Sequence, residues 1–115
     1  MAELRSGRAF AAELGEVLRI SAKDRGEAGR ALYADLLKQA LRDLAADPRR
    51  HGVQPVEGRL GAYSYPIRYS RESSPSELRV GWPRHVVFFR IVDDGSVVQL
   101  LRLLHDQMLP ETWLP

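Results

Sequence analysis

Cysteine is absent from the sequence, which excludes a disulfide framework and any thiolate-bound metal and suits a reducing compartment. No apolar run approaches the ~20 residues that a membrane-spanning helix needs, and no secretory leader pattern is present. A soluble, cytoplasmic protein without membrane contact is therefore expected. A glycine-rich phosphate loop is missing, as are HExxH and HxxxH. The histidines are His51, His85 and His105, and none stands at metal-ligand spacing from another histidine or from a carboxylate pair. No metal and no cofactor are expected. Lysine is nearly missing as well, with 2 lysines against 15 arginines, a bias to which genomic base composition contributes. Internal repeats and low-complexity stretches are also lacking.

What is present fits one domain spanning residues 1–115, with a mass of 13.0 kDa. A chain of this size buries roughly two thirds of its unfolded surface. The net charge is only +2, but its distribution is uneven. From Arg59 to Arg90 six arginines face two acids, Glu72 and Glu77, whereas the first 57 residues nearly balance. A basic middle of this kind serves nucleic acid or an acidic protein partner equally well.

The chain is organised around Arg84 to Pro110. Two runs rich in Val, Ile, Leu and Phe flank Asp93-Asp94-Gly95-Ser96, and Asp-Gly tolerates the positive φ angles of a tight turn. An antiparallel hairpin is expected, Val86 to Val92 against Val97 to Leu104. With Asp94-Gly95 as the loop, Val92 faces Val97, Ile91 faces Val98, Arg90 faces Gln99, Phe89 faces Leu100 and Val87 faces Arg102. One sheet face then carries Val87, Phe89, Ile91, Val98 and Leu100 and calls for a cover of helices. The other mixes Val86, Phe88, Val92 and Leu101 with Arg90 and Gln99.

Ahead of this hairpin, residues 2–6 read as a short edge strand. From Gly7 to Ser21, Phe10, Leu14, Val17 and Leu18 fall on one helical face, with Ser6 as the cap. The linker SAKDRG breaks the pattern, and Asp24 with Glu27 has the spacing of a capping box that starts a second helix near Arg25 to Glu27. Its face is Tyr33, Leu37, Ala40, Leu41 and Leu44, widened by Leu32 and Leu36. Asp47-Pro48 ends it. A short linker and one apolar stripe per helix make an antiparallel helical hairpin. Residues 47–62 hold several turn formers and cross from helices to sheet. AYSYPIRYS then alternates as a strand, with Tyr63, Tyr65, Ile67 and Tyr69 on one side and Ser64, Pro66, Arg68 and Ser70 on the other. Pro66 places it at an edge, a start or a bulge. The expected fold is α+β: a helical hairpin packed on a small curved antiparallel sheet, in the order (β)ααβββ.

Few residues carry chemistry. His51 reads as a solvated turn residue, and His85 as structural at the start of a strand. His105, beside Asp106, either orients by hydrogen bonding, acts as acid or base, or terminates its strand. Asp93 and Asp94 are explained by turn chemistry, and Ser73-Ser74 has no base at fixed spacing. The tyrosine row suits core packing better than base stacking. Arg68, Arg84, Arg90 and Arg102 are expected on or near the exposed sheet surface, where they form either a solvated basic face or a partner-binding site.

In order, FAAELGEVL, LYADLLKQALRDLAADPRRHG, YSYPIRYSR, PRHVVFFRIVDDG and VVQLLRLLHDQMLP resemble the ParE branch of the RelE/ParE toxin superfamily over nearly the whole chain. The most specific pieces are Ile67-Arg68-Tyr69-Ser70-Arg71, Pro83-Arg84-His85, Phe89-Arg90-Ile91, and Leu104-His105-Asp106 with Met108. The resemblance implies two helices against a curved antiparallel sheet and a toxin of a type II toxin-antitoxin system, neutralised by a cognate ParD-like antitoxin. The RelE branch cleaves ribosome-bound messenger RNA with cationic and acid-base side chains, including an arginine and a tyrosine beyond the last strand. Here Asp106 and Gln107 follow His105, no tyrosine comes after, and Lys23 and Lys38 lie in the helical part. His105 and Arg84 remain the candidates for such a site. The ParE branch implies binding and poisoning of DNA gyrase without chemistry by the toxin, and without sequence-specific nucleic-acid binding by the toxin alone. The surface implied for that role comprises Arg68, Arg84, Arg90, Arg102, His105, Met108, Trp113 and Leu114. The ending Glu111-Thr112-Trp113-Leu114 departs from the arginine- or histidine-bearing ending of that branch.

Overall fold

The computed structural model describes residues 1–73 and 83–107; Met108, Trp113 and Leu114 lie outside them. Strand β1 (Glu3–Ser6) leads into helix α1 (Arg8–Ala46), followed by β2 (Gln54–Pro55), β3 (Ala62–Pro66), a 3-10 helix (Ile67–Ser73), β4 (His85–Val92) and β5 (Val97–His105). A straight helix of 39 residues would reach about 58 Å at ~1.5 Å per residue. The molecule is only 39 Å in its longest dimension, so α1 must double back.

It does so at Gly26, whose backbone (φ 76, ψ −179) is not helical. This region of conformational space is essentially restricted to glycine. The two arms form the expected helical hairpin, but the break is one residue and not a linker. Helix continues through Ser21 to Arg25, and Asp24 does not cap a second helix: Glu27 instead pairs with Arg30 at the surface. At the other end Gly7, not Ser6, precedes the first turn and supplies no side-chain cap.

Both arms turn their apolar stripes to one core. Phe10, Tyr33, Leu36, Leu37, Ala40 and Leu44 are buried, with Leu14, Val17, Leu18, Leu32 and Leu41 packed alongside. Across from them lie Tyr65, Val87, Phe89, Val98, Leu100 and Leu103 from the sheet. The α+β class holds, but the sheet is mixed: its order is β1-β5-β4-β3-β2, with β1 parallel to β5 and the other pairs antiparallel.

The β4–β5 register matches the expected one from Val92↔Val97 to Phe89↔Leu100. The loop is the full Asp93–Ser96, in which Asp93, Asp94 and Gly95 all take positive φ. Beyond Phe89 the register slips by one at a bulge, so Phe88 faces Arg102 and Val87 faces Leu103, not Arg102. The extra residue moves Leu103 onto the helix-covered face. On the opposite face Val86, Phe88 and Leu104 are buried with Val56 and Leu101 packed against them.

The tyrosine strand is also shorter than expected. β3 stops at Pro66, and Ile67–Ser73 coils into the 3-10 helix. Proline has no N–H for the ladder, which makes the exit from the sheet at this point economical. Ser70, assigned above to the polar side of a strand, is instead fully buried.

Candidate functional site

The ends of β4 and β5 meet where His85 pairs with His105. The two imidazoles stand edge to face, 5.7 Å between centroids. His85 Nδ1 lies 2.5 Å from the hydroxyl of Tyr33, on the second arm of α1. Burial, reinforced by the His105 neighbour and only partly offset by Asp106, pushes the His85 pKa down to about 4. Burial likewise pushes the Tyr33 phenol up to about 12. Near neutral pH the phenol therefore donates to an uncharged imidazole, whose own proton sits on Nε2.

Asp106 closes the cluster. Its two carboxylate oxygens accept from Nε and Nη2 of Arg84 at 3.0–3.2 Å, the two-pronged geometry that suits guanidinium and carboxylate best. The Asp106 backbone N–H also donates to the Arg84 carbonyl at 2.8 Å. Hydrogen bonding from Arg84 holds the Asp106 carboxyl below its ordinary pKa. His105 Nδ1 is 3.1 Å from Asp106 Oδ1 and 3.3 Å from the Gln107 backbone nitrogen. It donates to the first when protonated and accepts from the second when not.

Two concavities share His105. One, of about 270 Å³, lies under the helix elbow and is lined by Ile20, Asp24, Arg25, Tyr33 and His85 among others. The second, of about 440 Å³, opens on the other side of the sheet between Val56, Phe88, Arg68 and Asp106.

The four arginines do not form a single face. Arg84 lines one of the two concavities that share His105, and Arg68 the other. Arg90 is registered with Ala62 and Gln99, five residues along β4 from His85 and so roughly 16 Å away at ~3.3 Å per residue. Arg102 turns to the sheet edge, where its guanidinium meets the Glu13 carboxylate at 2.5 Å. Glu13 also accepts the Leu103 backbone N–H at 2.9 Å. β1 ends at Ser6, so this carboxylate takes over an edge N–H that β1 no longer pairs. Hydrogen bonding to Glu13 raises the Arg102 pKa. Both carboxylate-bound arginines are thus neutralised within the fold.

Three contributors escaped the sequence reading as polar partners. Tyr33 was legible only as a member of an apolar stripe. Glu13 follows Phe10 by three residues and precedes Leu14, so a carboxylate stood beside a core face. Asp43 does the same beside Ala40 and Leu44. It accepts from Ser70 Oγ (2.6 Å) and Gln39 (2.8 Å) and pairs with Arg50 (2.7 Å). Charged residues beside a buried stripe are a signal that such a partner exists.

As chemistry, this end of the sheet offers hydrogen-bonding groups to a partner and acid-base side chains to a substrate. An RNA-cleaving site needs a proton acceptor together with cations left available for the developing charge. Arg84 is committed to Asp106 and the acceptor nitrogen of His85 to Tyr33, while Arg68 beside His105 has no ion-pairing carboxylate among the described residues. Among the described residues no group of histidines and carboxylates could hold a metal ion, and no helix is long and apolar enough to cross a membrane.

Comparison with known proteins agrees with this architecture. The sequence matches the model of the ParE toxin of type II toxin-antitoxin systems (parDE) over residues 7–110. No curated protein sequence matches. Among solved structures, a chain of the chromosomal ParDE system from P. aeruginosa superposes with a TM-score of 0.64 at 17% identity, covering 91% of this chain and 96% of that one. A chain of the RelBE2 toxin-antitoxin complex from Mycobacterium tuberculosis gives 0.55 at 22% identity, covering 90% and 96%. The isolated E. coli RelE toxin gives 0.55 at 14% identity, covering 97% and 92%. These likenesses carry the fold, while the sequence match over nearly the whole length carries the family: the chain belongs to the ParE toxins of type II toxin-antitoxin systems.

Proposed function

We propose that this ParE-family toxin arrests growth by binding and poisoning DNA gyrase, performs no bond-making of its own, and is neutralised by a cognate ParD-like antitoxin. The observation that carries this reading is the two-pronged pairing of Arg84 with Asp106 beside an uncharged His85. With Arg84 satisfied internally, the sheet end presents shape, hydrogen-bonding groups and the Arg68 guanidinium to a partner. The surface assigned to this contact is Arg68, Arg84 and His105, together with Met108, Trp113 and Leu114, which lie outside the described residues. Arg90 and Arg102 sit apart from that group and belong to it less directly.

A second reading, ribosome-dependent cleavage of messenger RNA, draws on the groove in which His105 and Arg68 meet. The two are separated by supplying purified toxin to gyrase with relaxed plasmid and, in parallel, to ribosomes translating a reporter message. Lost supercoiling with intact message supports gyrase as the target. Cleaved message with normal supercoiling reverses the order.

A further inference from the structure

A second feature adjoins the sheet end through Arg68, where the loop after α1 crosses the tyrosines of β3 and the 3-10 helix. The Arg49 guanidinium lies 5.7 Å from the Tyr63 ring centroid, Arg50 5.7 Å from that of Tyr65, and Arg68 5.0 Å from that of Tyr69. His51 meets Tyr69 edge to face at 5.3 Å. Tyr63 and Tyr65 are two residues apart on one strand and so project from one face, and Tyr65 leads on to Tyr69 at 6.2 Å. Three guanidiniums thus stand near rings; Arg50 is ion-paired with Asp43 at 2.7 Å, which leaves Arg49 and Arg68 as the cations open to a ligand.

We propose that this arginine-tyrosine row is a sequence-independent docking surface for the phosphodiester backbone of a nucleic acid. Arg49, His51 and Arg68 are exposed, and neither Arg49 nor Arg68 has an ion-pairing carboxylate among the described residues. From residue 42 to 71 there are six arginines and three carboxylates. Two of those carboxylates are already engaged, Asp43 by Ser70, Gln39 and Arg50, and Asp47 by the Arg49 backbone N–H. A guanidinium beside an aromatic ring and without a carboxylate partner keeps N–H groups for the paired oxygens of a phosphate; of those on Arg49, Nη1 lies 3.5 Å from the Tyr63 hydroxyl.

The row is also rigid. Tyr63 stacks on Phe89, and the Tyr65 hydroxyl is joined to buried Ser70 at 2.7 Å. The backbone at Gly52 comes so near Tyr69 that a β-carbon there would lie 2.7 Å from the ring. Cations ordered in advance lose little entropy on binding. Exposed guanidiniums without carboxylate partners among the described residues, set beside aromatic rings, favour a polymer of phosphates, to whose paired oxygens arginine offers matching N–H donors. Arg68 belongs to both this surface and the sheet-end contact, whereas Arg49 and His51 belong to this one alone.

The test is fluorescence anisotropy of the full-length toxin with labelled duplex DNA, single-stranded DNA and RNA of arbitrary sequence, titrated across salt. Binding is expected at about 50 mM salt and should weaken with a slope of about 0.9 per phosphate contacted on duplex DNA. R49Q/R68Q should lower affinity by about tenfold or more and reduce that slope by about 2. R49K/R68K, which keeps the charges, should retain the slope, and R19Q, remote on the first helical arm, should bind as the parent does. The three probes distinguish duplex from single strand and DNA from RNA, and binding of any one supports the proposal. No binding to any probe at low salt overturns it, as does R49Q/R68Q binding like the parent. Equal or tighter retention by poly-glutamate of matched charge also overturns it, in favour of an acidic protein partner.

Discussion

Gly26 carries the sharpest single-residue consequence. Alanine there must occupy a backbone region that side chains disfavour, so G26A is expected to cost about 1–3 kcal/mol. G15A is the matched opposite: Gly15 lies in regular helix, exposed, with nothing within 4 Å of an added β-carbon. It should gain about 0.5–1 kcal/mol. Thermal unfolding of the two variants should shift in opposite directions by several degrees. His85 sets a pH dependence. Its folded pKa of about 4 lies below the ordinary 6.5, so between these values the unfolded chain binds more protons and stability rises with pH. Acidification from pH 6.5 toward 4 should lower the urea midpoint, and H85Q should flatten that part of the profile. The depressed Asp106 carboxyl continues the loss at lower pH, because its contribution disappears as pH falls through its folded pKa. The break at Gly26 was legible, since SAKDRG ends on it, but the surroundings of His85 were not. A histidine at the start of a strand reads as structural, and the tyrosine that desolvates and bonds it arrives from a helix far away in sequence.

Among the elements, the lower part of α1 is held to β5 by Glu13. E13A removes the acceptor for both Arg102 and the Leu103 N–H and should cost about 1.5–3 kcal/mol. E13Q keeps an acceptor oxygen and should cost less, which denaturant titration of both variants will show. The 3-10 helix depends on Ser70, whose hydroxyl bridges the Tyr65 hydroxyl and Asp43. S70A should cost about 1–3 kcal/mol and speed amide exchange across residues 67–73 more than elsewhere. At this scale the sequence was informative where patterns are local. The β4–β5 register down to Phe89↔Leu100 and both apolar stripes of α1 follow from turn chemistry and periodicity. The bulge stayed hidden because leucines stand on both sides of Arg102, so either register sets one leucine and the arginine opposite Phe88 and Val87. The early end of β3 stayed hidden because Arg68-Tyr69-Ser70 continues the alternation that the backbone abandons. The parallel pairing of β1 with β5 joins residues more than 90 apart, and no pattern within either strand records it.

For the molecule as a whole, a five-stranded sheet under a folded helix places two histidines, an arginine-aspartate pair and a tyrosine at one end. An arginine-tyrosine row runs beside it. Family membership was readable because its motifs are spread along the chain, whereas the separation of Arg90 and Arg102 from Arg84 required the register and the sheet edge to be known. The central claim is that harm to the cell comes from gyrase held on cut DNA and not from cleavage by the toxin. The most direct measurement is linear plasmid released after protein digestion from reactions of supercoiled plasmid and purified toxin, with and without gyrase. Linear plasmid rising with toxin concentration only when gyrase is present is the expected result. No rise with gyrase present, together with toxin-dependent cuts in ribosome-bound message, would contradict it.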